Sequence, residues 1–278
     1  INYSIGGIME EQIIEDKPKK NFKVLKIIII LLVILFSYMA YFNSFIIKVK
    51  EYSLTDNNLP KSFDGLKIAQ ISDIHYGTSI KEINLKMIVK RLNELKPDVV
   101  VFTGDLIDTS TNHTEKVKSE LTYYLGTIEA KTKLAIKGDN DSEDFNDLMT
   151  NSGFTYLNDE VSSIYSNASE TITFLGINKD YTLESDTYKI ALIHEPDKVD
   201  KILDNNYNLV LAGHSHGGEI RLPLLGGLVN YKGATKYKKD EYLLNNTHLY
   251  ITEGLGTSGI NLRLGTTPTI NLYRLYQY

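Results

Sequence analysis

Five short apolar runs in this chain, rich in β-branched residues, each stop on an aspartate or a histidine. Residues 66–71 run into Asp73 and His75, 99–102 into Gly104-Asp105, 134–136 into Gly138-Asp139, 190–193 into His194, and 209–211 into Gly213-His214-Ser215-His216. Strands buried on both faces read as unbroken Val/Ile/Leu runs, whereas strands with one wet face alternate. Open α/β sheets hold ligands beyond the carboxyl ends of their strands. The pattern therefore predicts several parallel strands that deliver polar side chains to one place.

Between the runs, Ser79 with Glu82 reads as a capping box, and Ile80, Ile83, Met87, Ile88, Leu92 and Leu95 share one helical face. That predicts a helix to about Leu95, stopped by Lys96-Pro97. Further helices are expected around 115–127, 145–149 and 198–203, and residues 48–54 alternate enough to be a strand. Short strands dominate beyond Phe154, at 171–176, 189–193, 219–222, 248–252 and 269–276, so mixed sheets are expected rather than one parallel sheet.

Residues 27–47 hold 21 consecutive positions without a charge, opening on the unbroken apolar stretch 27–36. As a helix, ~20 such residues span the ~30 Å hydrocarbon core, which predicts one transmembrane segment. Lys17, Lys19, Lys20, Lys23 and Lys26 precede it, against Lys48, Lys50 and Lys61 after it. The positive-inside rule then puts the N-terminus in the cytoplasm and the large C-terminal domain outside it, as a single-pass protein of the cell membrane. With no small-residue cleavage site after the run, an uncleaved signal anchor is expected. The chain opens on Ile1 rather than Met, so a start further upstream is expected as well.

The formal net charge of -5 supplies no broad basic field, so nucleic acid is not an expected partner. The absence of cysteine excludes disulfides and thiolate chemistry. What remains is an oxygen and nitrogen donor set. Asp73 and His75 stand two apart, so an extended segment turns both the same way. Asp105 follows a glycine, and its two oxygens suit it to bridging. Asp139, His194, His214 and His216 complete seven candidate ligands, with neutral imidazoles suited to zinc, manganese or iron. Four of the six histidines lie at the ends of these runs, which lifts the set above the ordinary reading of a lone turn aspartate or surface histidine. His113 and His248 read as surface residues, His113 being notable for following the Asp108 loop.

Asp73-x-His75, Gly104-Asp105-x-x-Asp108, Gly138-Asp139-Asn140-Asp141, His194 and Gly213-His214-x-His216, in this order, resemble the calcineurin-like metallophosphoesterases. The longer stretches from Gly213 to Pro223 and from Gly254 to Gly259 resemble a membrane-associated bacterial subgroup. The resemblance implies a four-layer α/β/β/α sandwich of two mixed sheets. In domain terms the chain reads as a cytoplasmic tail at 1–22, a signal anchor at 23–47 and a strand or linker at 48–59, followed by the metallophosphoesterase domain that the resemblance implies at 60–278. The resemblance implies two divalent ions, with Asp73, His75 and His216 on one, Asp139, His194 and His214 on the other, and Asp105 bridging. Together they would neutralise phosphate oxygens and activate a shared water for in-line attack. Asp108 would orient a ligand, and Arg263 would contact phosphate. The substrate implied is a phosphoester, phosphodiester or pyrophosphate, lipid-linked ones included; no protein partner is implied.

One motif departs from the family. Asp139-Asn140 stands where the family has asparagine and histidine, adding a third formal negative charge and removing the imidazole near the leaving group. The competing class is a non-catalytic module that keeps the metal site without hydrolysis.

Overall fold

The computed structural model describes residues 22–43, 46–166, 170–179, 187–222, 226–258 and 261–278. In chain order these form helix α1 (Phe22–Asn43), strand β1 (Lys48–Thr55), β2 (Leu66–Ile71), α2 (Glu82–Glu94), β3 (Val99–Phe102), α3 (Glu115–Gly126), β4 (Thr132–Ala135), α4 (Phe145–Asn151) and β5 (Thr155–Tyr156). There follow β6 (Glu160–Ser166), β7 (Glu170–Gly176), β8 (Tyr188–Ile193), β9 (Leu209–Ala212), β10 (Arg221–Leu222), β11 (Gly226–Gly227), β12 (Glu241–Leu244), β13 (Thr247–Ile251) and β14 (Thr269–Tyr276).

The strands build two six-stranded mixed sheets, ordered β1-β14-β2-β3-β4-β5 and β12-β13-β9-β8-β7-β6. Their inner faces meet. Ile68, Val99, Val101, Leu134 and Tyr273 from the first sheet form one buried cluster with Phe174, Ile190, Leu192, Leu209 and Leu211 from the second. The alternate residues of the first sheet, Ala69, Ile71, Val100, Phe102 and Leu272, face outward and pack under Leu85, Ile88, Leu92, Leu121, Leu125 and Phe145 of α2, α3 and α4. Those of the second sheet, Ala191, Ile193, Val210 and Ala212, pack under Val199, Ile202, Tyr207 and Tyr237. Every central strand is thus wet on neither face, which is why β2, β3, β8 and β9 read as unbroken apolar runs.

Three expectations change. The outermost layer over the second sheet is not α-helical among the described residues. In place of the helix expected at 198–203 there are two 3₁₀ turns, Pro196–Lys201 and Leu203–Asn205, closed by Asn206 at φ 52°. The segment is too short and too rich in Asp and Asn to sustain α turns. Helix α2 starts at Glu82 with Lys81 as its N-cap, so the Ser79–Glu82 capping box does not form. Ser79 instead accepts the Thr257 N–H at 2.8 Å. The strand expected at 48–54 does form, as β1, which pairs in parallel with β14 along its whole length. The strand expected at 219–222 is reduced to the short hairpin of β10 with β11.

The chain divides into two compact units, Ile1–Tyr38 and Met39–Tyr278. Within the first, the consecutive side chains from Ile27 to Phe36 are all exposed, so α1 presents an apolar surface on every side. Its side chains are described only as far as Tyr38, and among the described residues no helix is long and apolar enough to cross a membrane. The expected transmembrane helix is therefore not shown. The tail expected at 1–22, apart from Phe22, lies outside the described residues.

Candidate metal centre

Parallel alignment of β2, β3 and β4, and of β8 and β9, brings the five sequence-predicted strand ends to one edge of the sandwich. There the ligand candidates fall into two sets, Asp73, His75 and His216 in one and Asp105, Asp139, His194 and His214 in the other. Within each set the available oxygen and nitrogen atoms lie within 4.8 Å of one another. All seven candidates read from the sequence come together.

The backbone is bent to achieve this. Asp73, His75, Asp105, His214 and His216 all have left-handed φ, between 43° and 66°. For residues other than glycine such conformations cost of order 1–3 kcal/mol each, and they persist where the surroundings enforce them. Gly104, at φ 100°, carries the sharpest turn, and a Cβ there would stand 2.5 Å from His194 Nδ1. Gly138 is packed as tightly against Asp105, so neither loop has room for a side chain at its glycine.

Hydrogen bonds fix the rings. His194 Nδ1 donates to the Thr103 carbonyl at 2.7 Å, His214 Nε2 to the Lys232 carbonyl at 2.8 Å, and His216 Nδ1 to the Gly256 carbonyl at 3.2 Å. A carbonyl only accepts, so each of those nitrogens carries a proton, and the opposite nitrogen is left to bind a cation or a second proton. These opposite nitrogens turn toward the carboxylates. His194 Nε2 and His214 Nδ1 lie 2.9 and 3.1 Å from Asp139 Oδ1 and 3.1 Å from each other. His216 Nε2 lies 3.6 Å from Asp73 Oδ1, and His75 Nε2 3.4 Å from Asp105 Oδ2. His75 is buried with neither ring nitrogen hydrogen-bonded.

The electrostatics follow. Burial would raise the Asp105 carboxyl, but the adjacent His194 and His75 rings hold it far below the usual range. Burial would likewise depress His194, yet Asp105 and Asp139 outweigh it and hold the imidazolium well above its ordinary pKa. His216, buried with His75 and Arg263 nearby, is pushed down to about 3 despite Asp73. Anionic carboxylates facing imidazole nitrogens, with three of the four outer nitrogens tied to carbonyls, form a donor set suited to a divalent cation in place of a proton.

The remaining candidates are placed differently from their expected roles. Asn140 donates its backbone N–H to Asp105 Oδ1 at 3.0 Å and its side-chain amide to Asp105 Oδ2 at 2.7 Å, so it clamps that carboxylate. Asp108 Oδ2 stands 3.6 Å from His75 Nδ1, and its other oxygen accepts from the Ser110 N–H at 2.9 Å. Arg263, expected to contact phosphate, is wholly buried. Its guanidinium donates to the carbonyls of Glu253 at 2.8 Å, His216 at 3.5 Å and Gly256, tying the C-terminal loop to the histidine loop. It is a positioning residue. The sequence reading gave Asp141 no role. Its carboxylate accepts the N–H groups of Gly138, Asp105 and Leu106, each at 2.8 Å, and so locks two ligand loops together. Its place in the Gly138–Asp141 motif was the available signal. Tyr231 was missed too; its ring lies 5.7 Å from His214 and 5.1 Å from His216. Nothing around it in the sequence marks it out. Pro223 and Gly259, at the ends of the longer motifs, lie outside the described residues.

Comparison with known proteins places this geometry. The family model described as calcineurin-like phosphoesterase matches residues 66–218, more than half of the chain. The metallophosphoesterase YkuE of Bacillus subtilis is 31% identical, over 86% of this chain and 89% of its own length. A Danio rerio protein named as a transmembrane protein with a metallophosphoesterase domain is 27% identical, over 80% of this chain and 56% of its own. LpxG of Chlamydia trachomatis, a UDP-2,3-diacylglucosamine pyrophosphatase, is 26% identical, over 79% of this chain and 88% of its own.

Proposed function

The chain belongs to the calcineurin-like phosphoesterase family and is a metal-dependent phosphoesterase, and on that premise we propose that it hydrolyses phosphoester, phosphodiester or pyrophosphate bonds at a pair of divalent ions. Asp73, His75 and His216 would hold one ion, Asp139, His194 and His214 the other, with Asp105 between them. Mixed imidazole and carboxylate donors suit manganese, iron or zinc. Bound there, such ions supply charge neutralisation for phosphate oxygens and acidify water at neutral pH.

The protein's own residues do the rest. The Thr103, Lys232 and Gly256 carbonyls hold three imidazoles in the ligating tautomer, and Asp108 faces the fourth. Asn140 spends its amide on Asp105 and presents no imidazolium to a departing oxygen. Leaving groups that depart as anions are therefore favoured: aryl esters, diesters and pyrophosphates over alkyl monoesters. One observation carries the reading. The inward nitrogens of His194 and His214 approach within 3.1 Å of each other around one carboxylate oxygen, an arrangement that a divalent cation would satisfy in place of a proton.

The test uses the purified chain stripped by chelator. It should bind close to two first-row ions per chain, have lost aryl-ester hydrolysis, and regain it with manganese. Undiminished hydrolysis by metal-free protein would refute the assignment.

The same proposal includes a membrane address. The uncharged stretch at 27–47, the exposure of α1 on every side and the lysine excess before it support a signal anchor with the catalytic domain outside the cytoplasm. A lipid-linked phosphate is a substrate such an anchor favours, and LpxG is named for one.

A further inference from the structure

Beside the second ligand set lies a cavity of about 400 Å³ bounded by Lys137, Tyr156, Asn178, Lys179, Glu195 and Lys198, with Asp139 and His194 forming its inner wall. This volume falls within the ~300–1,000 Å³ typical of small-molecule sites. The lining comes from the segments after β4, β5, β7 and β8, so the two sheets meet there at their carboxyl ends. In a chain with a net charge of -5, three lysines converge on this one wall of the metal centre.

The loops are built to hold them. Asp159 accepts the Asn178 and Lys179 N–H groups at 2.9 Å each, pinning the turn that carries Lys179. Asn178 donates to Asn158 Oδ1 at 2.7 Å, linking the β5 and β7 segments. Lys198 pairs with Glu195 at 2.7 Å and reaches the Asn178 carbonyl at 3.5 Å. Lys137 and Lys179 have no acidic partner among the described residues, which leaves two cations facing the cavity with Tyr156 and Asn178 as polar neighbours. Three lysines against Glu195 and Asp139 leave the lining one net positive charge, with two of the lysines unpaired, which suits an anionic group on a substrate whose scissile phosphate lies at Asp139 and His194.

We propose that this cavity is a subsite for a second phosphate group of the substrate, held by Lys137 and Lys179 with Lys198 at its rim, so that the enzyme selects molecules bearing a phosphate in addition to the one it cleaves. The inference rests on the phosphoesterase reading of the metal centre. It adds a specificity that the metal ligands cannot provide, because they address only the scissile group. Lysine is suited to this as a compact charge on a flexible stem, able to follow phosphates attached at different reach.

The test compares two substrates that share one scissile bond: the p-nitrophenyl ester of thymidine 5′-phosphate, with and without a phosphate on the 3′ hydroxyl. With the manganese-loaded full chain, the second phosphate should raise kcat/KM by roughly 10-fold or more through KM, as expected of charge-assisted contacts. The advantage should shrink as salt is raised. Lys137→Met and Lys179→Met should each reduce the ratio between the two esters, their combination should bring it near one, and Lys137→Arg should retain it. A ratio near one in the unmodified chain, or a ratio untouched by both methionine variants, would overturn the subsite. If neither ester is hydrolysed, such diesters are not substrates of the metal centre, and calorimetry with methylenediphosphonate and methylphosphonate still decides the cavity. Tighter binding of the diphosphonate, abolished in the double variant, supports it; equal binding of the two rejects it.

Discussion

At the residue scale the centre is a set of carboxylates and imidazoles, three of whose four rings have the outer nitrogen held by a backbone carbonyl. Removing a hydrogen-bonding partner of a metal ligand typically costs 10- to 100-fold in metal affinity or activity. Asp108→Asn, which loses a charge 3.6 Å from His75 but no hydrogen bond to it, should fall at the low end of that range, about 10-fold. Asp105→Asn should lose more than about 100-fold, because His75, His194 and Asn140 all converge on that one carboxylate. Steady-state rates with matched metal analysis check the order; equal losses would mean that Asp105 is not shared. Asn140→His should act differently, raising turnover on alkoxide leaving groups by up to ~10²-fold while changing aryl esters little. A leaving-group series with both proteins measures this, and a wild type indifferent to leaving-group pKa would show that another group donates the proton. All seven ligand candidates were legible in the sequence because each sits where an apolar run breaks. The burial of Arg263 was not, since a charged residue in a loop carries no local mark of what closes over it.

At the element scale, legibility followed burial. Strands β2, β3, β8 and β9, apolar on both faces, were plain in the sequence. Strands β6 and β12 are at the edges of the second sheet and show mixed exposure, and no periodicity announced them. Ser79 and Glu82 had the right spacing for a capping box, but Ser79 is held by Thr257 from the C-terminal loop, a tertiary contact that local spacing cannot foresee. That loop depends on Arg263. Replacing it with methionine would strand the Glu253 and Gly256 carbonyls without their charged donor. Hydrogen bonds to charged groups contribute about 1.5–3 kcal/mol each, so Arg263→Met should lower unfolding free energy by on the order of 3 kcal/mol and weaken metal affinity with it. Chemical denaturation with and without manganese measures both; unchanged stability would mean the loop is held elsewhere.

At the scale of the whole molecule, the two sheets form one scaffold that the sequence announced through its strand ends, while the outer layer of 3₁₀ turns and the membership of β1 in the first sheet emerged only in three dimensions. The N-terminal unit remains the part read from charge and hydropathy. A reporter active only outside the cytoplasm, fused after Tyr278, should be active in bacterial cells, and neutralising Lys17, Lys19, Lys20, Lys23 and Lys26 should weaken that orientation. Activity of a cytoplasm-restricted reporter at the same position would reverse the assignment. Strand β14 lies between β1 and β2, so Lys48 meets Thr269, some 220 positions later in the chain. Synthesis proceeds at about 5–20 residues per second, so β1 waits roughly 10–45 s for its neighbour to be made. During that interval the growing chain carries an open sheet edge at β2 and a lone strand beside it. A message cut short before the codon for Thr269 would produce a protein with every candidate metal ligand present and the first sheet split in two.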